Sequence, residues 1–163
     1  MRTLGIIFLS FTPFLFGLDY SKSLKKRRSF LITFKEFIIF IRGQIRFSGR
    51  ERNEIITLAL ADPRFSSPFF NSLETALKSE ESITKIIKTS NYIRLNPQEI
   101  QEIDSFVSGL GKNDTEGQLN HCDYYLSVFE TLIKNLNDEF PVKSRLSVSL
   151  SLSLSAVMFI LMI

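Results

Sequence analysis

The feature that most constrains this chain is a heptad stripe of apolar residues within residues 108–140. The glycine turn Gly109-Leu110-Gly111 precedes the stripe, whose members recur at alternating steps of three and four residues. They are Leu119, Cys122, Leu126, Phe129, Ile133, Leu136 and Phe140. This spacing is typical of a helix that buries one narrow apolar edge against a partner helix. It therefore predicts one long helix and requires a second.

The second helix is predicted near the other end of the chain. An apolar stripe with the same steps runs through Leu31, Phe34, Ile38, Ile41 and Ile45, and Phe30, Phe37 and Phe40 widen its face. We expect the two helices to form a long antiparallel pair, with the intervening residues packed at its far end. An ordinary bundle of amphipathic helices is the alternative.

The residues between the two stripes predict short helices. Arg52 to Ala61 is one, ended by Asp62-Pro63; Ser67-Pro68 begins another; and isoleucines at 83, 86 and 87 suggest one or two further turns. Asn96-Pro97 with Glu99 predicts a capped helix that ends at the glycine turn. Asn113 and Glu116 predict a similar box before the last helix. No segment has a convincing strand pattern. The predicted fold class is therefore all-α, a helical bundle built on a long antiparallel helix pair.

Both ends of the chain are apolar. Residues 3–18 carry no charge, which favours an N-terminal transmembrane helix over residues 1–20, with a cleaved signal peptide as the rival. Residues 146–163 are also free of charge. Serine alternates with apolar residues in the first half of this segment, a strand-like period, but an unbroken apolar run follows without a turn residue. We therefore expect a second membrane helix there.

The charge distribution predicts how the chain is oriented. The basic residues next to the apolar segments are Lys22, Lys25, Lys26, Arg27, Arg28, Lys143 and Arg145, whereas the outer ends hold few cations. The positive-inside rule then places residues 21–145 in the cytoplasm and both termini outside. The net charge of +3 comes without a base-reading motif, so no nucleic-acid partner is expected.

The sequence offers no constellation for catalysis. Gly109-Leu110-Gly111-Lys112 lacks the upstream glycine and the downstream Ser or Thr of a phosphate-binding loop. His121 is the one histidine and Cys122 the one cysteine, and their adjacency supports neither a metal site nor a Cys-His nucleophile. We expect Cys122 to be a buried structural thiol. The prediction is a protein that is not an enzyme, with no cofactor, metal or small-molecule substrate.

An interaction surface is what remains. The two loops at the far tip of the helix pair serve first as helix caps and are also the predicted contacts for a protein partner. The residues concerned are Phe47, Gly49, Arg50, Gly111, Lys112, Asp114, Glu116 and Gln118.

The same loops carry a family resemblance. Phe47-Ser48-Gly49, followed by Asn-Glu-Ile, and the run from Gly109 to Gln118 resemble the stage III sporulation protein AB family. That family has an aromatic-Gly turn before a short helix and a Leu-Gly-x-Ser-Asp-x-Glu-x-Gln segment. Leu110, Gly111, Asp114, Glu116 and Gln118 fit that segment, whereas Asn113 replaces its serine and Arg50-Glu51-Arg52 replaces its proline-containing turn. The likeness covers nearly the whole chain.

The resemblance implies a specific setting. It implies a protein of the mother-cell membrane around the forespore, part of a channel or secretion-like complex. It also implies a helical domain similar to type II secretion F platform proteins, beside the secretion-type ATPase, stage III sporulation protein AA. The alternative is a general membrane-surface adaptor outside sporulation, whose basic run binds anionic lipid.

Overall fold

The computed structural model describes the backbone of residues 2–48, 52–79 and 93–162. Within these ranges the side chains of residues 2–18, 48, 52, 74–79, 158, 159, 161 and 162 lie outside the description. The described ranges contain five helices and one 3₁₀ turn. The helices are α1 (Arg2–Ser48), α2 (Arg52–Leu60), α3 (Pro68–Ser79), α4 (Pro97–Gly109) and α5 (Thr115–Met162), and the 3₁₀ turn is Pro63–Phe65. The described ranges hold no strand, and the predicted all-α class is confirmed.

The chain forms two compact units. One, the terminal unit, consists of Met1–Arg28 and Lys134–Ile163; the other, the central unit, consists of Ser29–Ile133. The two long helices each contribute residues to both units. The predicted isoleucine turns at 83, 86 and 87 lie outside the described residues.

Phe34 is the hub of the central unit's core. Its side chain is fully buried, and its ring centroid lies 4.9 Å from Phe129 of α5 and 5.8 Å from Phe106 of α4. It also packs against Phe69 and Phe70 of α3, at 6.2 and 6.4 Å. One side chain therefore contacts three other helices, and each tilted or edge-on ring pair adds to the burial of apolar area.

The predicted stripes form much of this core. In α1, all but Phe40 of the predicted apolar residues are buried. In α5, the buried members are Cys122 and Phe129 in the central unit and Leu136 in the terminal unit; they recur every seven residues, whereas the other members are only half-buried. Three buried residues of the central unit were not predicted to lie in the core: Tyr125 of α5, Phe65 of the 3₁₀ turn and Glu99 of α4.

Two polar contacts join α1 to α5 within the central unit. The ammonium of Lys35 lies 2.6 Å from Glu130, and the guanidinium of Arg42 lies 2.6 Å from Asp123. A step of seven residues forward along α1 thus matches a step of seven residues back along α5.

Helix boundaries follow local capping. The N–H of Asn96 donates to Glu99 Oε2 at 2.9 Å, as the predicted box at the start of α4 requires. Helix α5 differs from the prediction, which paired Asn113 with Glu116. Here Asp114 Oδ1 accepts from the N–H of Gly117 at 3.0 Å, so Asp114 is the capping residue. The third helical position is then Gly117, which has no side chain to complete a box.

The terminal unit has its own contacts between α1 and α5. The hydroxyls of Ser21 and Ser144 are hydrogen-bonded at 2.7 Å, and Arg28 Nε donates to Asn137 Oδ1. Leu24 is buried in this unit. The contacts again step seven residues forward on one helix and seven back on the other.

The described residues were also searched for membrane spans. None of the helices, as far as their residues are described, is both long and apolar enough to cross a membrane. The predicted N-terminal anchor falls largely on side chains outside the description, as do five residues at the end of the C-terminal one.

Candidate interaction surfaces

Those predicted partner-contact residues that the structure describes lie towards one end of the central unit. Arg42 and Asp123 face each other, α1 continues to Ser48, and α5 begins at Thr115. Phe47 lies five residues beyond Arg42, and Gln118 lies five residues before Asp123. Because both helices rise about 1.5 Å per residue, these two positions come to the same level. We call this end, with Phe47, Lys112, Asp114, Glu116 and Gln118, the central tip.

Phe47 is the most exposed large apolar side chain of the central tip. It is 84% exposed, and the guanidinium of Arg46 lies 5.6 Å from its ring centroid. Most of the Phe47 ring is therefore available to another surface, with the Arg46 guanidinium beside it. This exposure is the main structural reason to regard the central tip as a candidate contact site.

Backbone conformation shapes the loop between α4 and α5. Gly111 has a φ of 76°, a left-handed conformation that favours glycine. The neighbouring Leu110 is buried, and its side chain anchors the loop to the core. Lys112, Asp114 and Glu116 are exposed. Gln118 is half-buried, and its Nε2 donates to the carbonyl of Asn113 at 2.9 Å.

Gly49 and Arg50, the other two predicted contacts, lie outside the described residues. Their proposed part in the tip stays a prediction.

His121 holds the loop against α4. Its Nε2 lies 2.9 Å from the carbonyl oxygen of Phe106, and because a carbonyl only accepts, Nε2 is the donor. The ring stacks on Phe106 at 5.5 Å and meets Tyr125 edge-on at 4.8 Å. A Cβ built at Gly109 would lie 2.2 Å from His121 Cε1, so the ring occupies the space that glycine leaves. Sequence reasoning missed this role, because His121 lies outside the predicted apolar stripe and no periodicity marks it.

Cys122 next to it is fully buried, as predicted. Burial raises the pKa of its thiol to about 11, and the nearby charge of Asp123 contributes in the same direction. The thiol is therefore protonated at neutral pH and is a poor nucleophile. Among the residues that the structure describes, no three His, Cys, Asp or Glu side chains come together as metal ligands.

Asp62 and Arg64 form a second charged corner of the central unit. Asp62 accepts hydrogen bonds from the Arg64 guanidinium and from its backbone N–H, and these lower the pKa of Asp62 to about 2. Asp62 therefore stays ionised over the physiological range. Its hydrogen bond from the Arg64 N–H caps the 3₁₀ turn, at the place where the sequence predicted the end of α2.

The predicted juxtamembrane cations lie in the terminal unit. We call Lys22, Lys25, Lys26, Arg27, Arg28, Lys143 and Arg145 the basic belt. Ser21 and Ser144 touch, so the α1 and α5 members lie at neighbouring levels. Lys143 donates to Glu139, which lowers the pKa of that carboxyl, and the charge of Arg27 lowers it further.

The apolar end of α5 exposes its described leucines, whereas four of its six serines are half-buried and Ser149 and Ser153 are exposed. Leu146, Leu150, Leu152, Leu154, Val157 and Ile160 are all exposed, Leu150 at 67% and Ile160 at 72%. The less exposed residues of the same stretch are Ser144, Ser147, Val148, Ser151 and Ser155. Ser151 and Ser153 return their hydroxyls to the carbonyls four residues earlier, at 2.7 and 3.0 Å. Such bonds satisfy a serine hydroxyl without water.

Comparison with protein families decides the identity of the chain. The model of the family described as stage III sporulation protein AB matches residues 2–163. The chain belongs to this family. Membership implies a role in stage III of sporulation, as the resemblance in the two tip loops predicted. Comparison with curated proteins and with solved structures gives no match.

Proposed function

We propose that the chain is a non-enzymatic membrane platform of a sporulation-specific channel or secretion-like complex between mother cell and forespore. Residues 21–145 form its cytoplasmic all-α domain, and residues 1–20 and 146–163 are its two membrane anchors. Both termini lie outside, and the mother-cell membrane around the forespore is its location. Family membership over residues 2–163 supports the sporulation role over that of a general membrane-surface adaptor.

The observation that carries the membrane part of this proposal is the arrangement of leucines and serines at the end of α5. In water, a helix covers its leucines and exposes its serines. The described side chains from Ser144 to Ile160 favour the opposite: the large apolar residues other than Val148 are exposed, and four of the six serines are half-buried, with Ser149 and Ser153 exposed. This arrangement suits a lipid surrounding, where small and hydroxyl-bearing residues line helix contacts and leucine faces the acyl chains.

The proposal also includes an antiparallel arrangement of the two long helices, and paired contacts between α1 and α5 support it. In each unit taken by itself, the contacts between α1 and α5 proceed in opposite directions along the two helices. Ser21–Ser144 and Arg28–Asn137 do so in the terminal unit, and Lys35–Glu130 and Arg42–Asp123 in the central unit.

The proposed partner surface is the central tip. A large exposed ring beside a cation, with both acidic and basic groups around it, has the composition of a protein-contact site. The partners we propose are other stage III sporulation proteins, including the ATPase, stage III sporulation protein AA. No nucleic acid and no small-molecule substrate is part of the proposal, which rests on family membership for the nature of the complex.

Pull-down from sporulating cells tests the partner surface. We expect the tagged wild-type chain to retain the ATPase and other membrane components, and Phe47→Ser to lose at least tenfold of that retention. The matched control is Tyr124→Ser, since Tyr124 is also an exposed aromatic, at 60%, but lies away from the tip. Equal retention by the two variants, or isolation of the wild type as a lone monomer, would contradict the proposal.

A further inference from the structure

We propose that the basic belt is a binding surface for the phosphate headgroups of anionic phospholipids, and that Lys22, Lys25 and Arg145 carry this binding. The inference rests on the proposed membrane anchoring and adds the lipid class and the residues that select it.

The belt concentrates the positive charge of the whole chain. The protein has 20 basic and 17 acidic residues. Residues 19–28 and 137–145 hold seven of the basic residues and three of the acidic ones, Asp19, Asp138 and Glu139. The rest of the chain therefore has 13 basic and 14 acidic residues, and its net charge is −1. The excess charge of +3 arises from this one region of the terminal unit.

The contacts between α1 and α5 bring these charges to one level. Ser21 and Ser144 are hydrogen-bonded, Lys22 is the next residue along α1, and Arg145 is the next along α5. Because a helix rises about 1.5 Å per residue, Lys25 lies only about 6 Å along the axis from Ser21. Lys22 and Lys25 are three residues apart and share a helix face.

The cations of the belt differ in what they contact. Lys143 is bound to Glu139, and Arg28 to Asn137. Lys22, Lys25 and Arg145 are exposed and form no hydrogen bond or ion pair with another residue that the structure describes. These three side chains keep their full donor capacity for an external anion.

The position of the three cations indicates which anion. The first exposed leucine of the apolar stretch, Leu146, directly follows Arg145, and Tyr20, also exposed, precedes Lys22 by two residues. An aromatic side chain and cations at the boundary of an apolar segment are typical of the headgroup region of a bilayer. Phosphates fixed in a membrane surface are therefore the anions that meet these side chains, rather than phosphate in solution.

Lipid retention tests the inference on the full chain. The protein is reconstituted in vesicles of one part phosphatidylglycerol to four parts phosphatidylcholine and extracted in mild detergent, and the co-purified lipids are quantified by mass spectrometry. We expect phosphatidylglycerol to be enriched over its share of the vesicle. Each surface cation adds about a fivefold preference for an anionic lipid. The triple variant Lys22→Gln/Lys25→Gln/Arg145→Gln should therefore lose the enrichment.

The control removes the same number of charges elsewhere. Arg46→Gln/Arg94→Gln/Lys134→Gln changes three exposed cations outside the belt and should keep the enrichment. Inorganic phosphate added at constant ionic strength should displace no lipid. The inference is overturned if the triple variant retains as much phosphatidylglycerol as the wild type, if the control variant loses as much, or if inorganic phosphate competes.

Carbonate extraction of the same vesicles tests the anchoring separately. Release of the wild type would contradict the membrane anchors, while the lipid measurement still decides whether the basic belt binds anionic lipid.

Discussion

Arg42 of α1 and Asp123 of α5 form a two-contact ion pair, with Nε 2.6 Å from Oδ1 and Nη2 3.1 Å from Oδ2. This pair, like Lys35–Glu130, marks the register between the two helices in the central unit. We expect Arg42→Glu and Asp123→Arg each to lower the free energy of unfolding, because each places like charges in contact. The double variant should recover part of the loss, as exposed ion pairs do. Urea unfolding followed by circular dichroism measures all four proteins, and a double variant no better than the sum of the singles would contradict the register.

Phe34 should be the most sensitive position of the central core. Its ring contacts phenylalanines of α3, α4 and α5, so Phe34→Ala leaves a cavity among three helices. We expect a loss of about 3–5 kcal/mol in the free energy of unfolding. The control is Phe47→Ala, which removes the same side chain from an exposed position and should change stability by less than about 0.5 kcal/mol. Similar losses for both would contradict the core described above.

Gly109 and His121 should behave as a coupled pair. Gly109→Ala places a Cβ in the space of the His121 ring, which should cost about 1–3 kcal/mol in the free energy of unfolding, partly offset by the better helix propensity of alanine. In a His121→Ala background the clash is gone, so the same change should be neutral or stabilise by up to about 1 kcal/mol. Thermal unfolding of the four proteins tests the coupling, and an unchanged effect of Gly109→Ala in both backgrounds would show that the ring does not fill this space.

Cys122 should resist alkylation and should make stability depend on pH. Its pKa in the fold is about 11, above the ordinary value of 9.0, so the folded state holds the proton that the unfolded state loses. The contribution of Cys122 to stability should therefore be constant below about pH 9 and fall as the pH rises from about 9 to 11. Iodoacetamide labelling near neutral pH should be slow in the native chain and fast in urea. Rapid labelling of the native chain would contradict the burial of the thiol, and Cys122→Ala should remove this part of the pH dependence.

The sequence predicted the helices more successfully than their side-chain detail, for physical reasons. A stripe such as Leu31 to Ile45 repeats often enough to give a face, and that face is buried. Phe65 sits in a single 3₁₀ turn, where no period exists to mark it as core. Tyr125 was missed because its neighbour Leu126 fits the heptad better, although the tyrosine is the more buried.

Capping and site residues show the same limit. Asn113 and Asp114 are both good capping residues, and only the backbone geometry selects Asp114. The exposure of Phe47 depends on where α1 ends relative to α5, which periodicity does not specify. The half-burial of four serines in α5 could not be inferred from the alternation of serine and leucine, because the same alternating sequence is also compatible with a strand. The predicted anchor boundaries at residues 20 and 146 stay predictions.

Membrane topology in sporulating cells tests the central claim most directly. Alkaline phosphatase, which is active only outside the cytoplasm, is fused after Ile163 in one strain and after Lys112 in another. The account predicts activity for the fusion after Ile163 and none for the fusion after Lys112, since it places the C-terminus outside and the central unit in the cytoplasm. An inactive fusion at Ile163, or an active one at Lys112, with both proteins present in equal amounts, would contradict it.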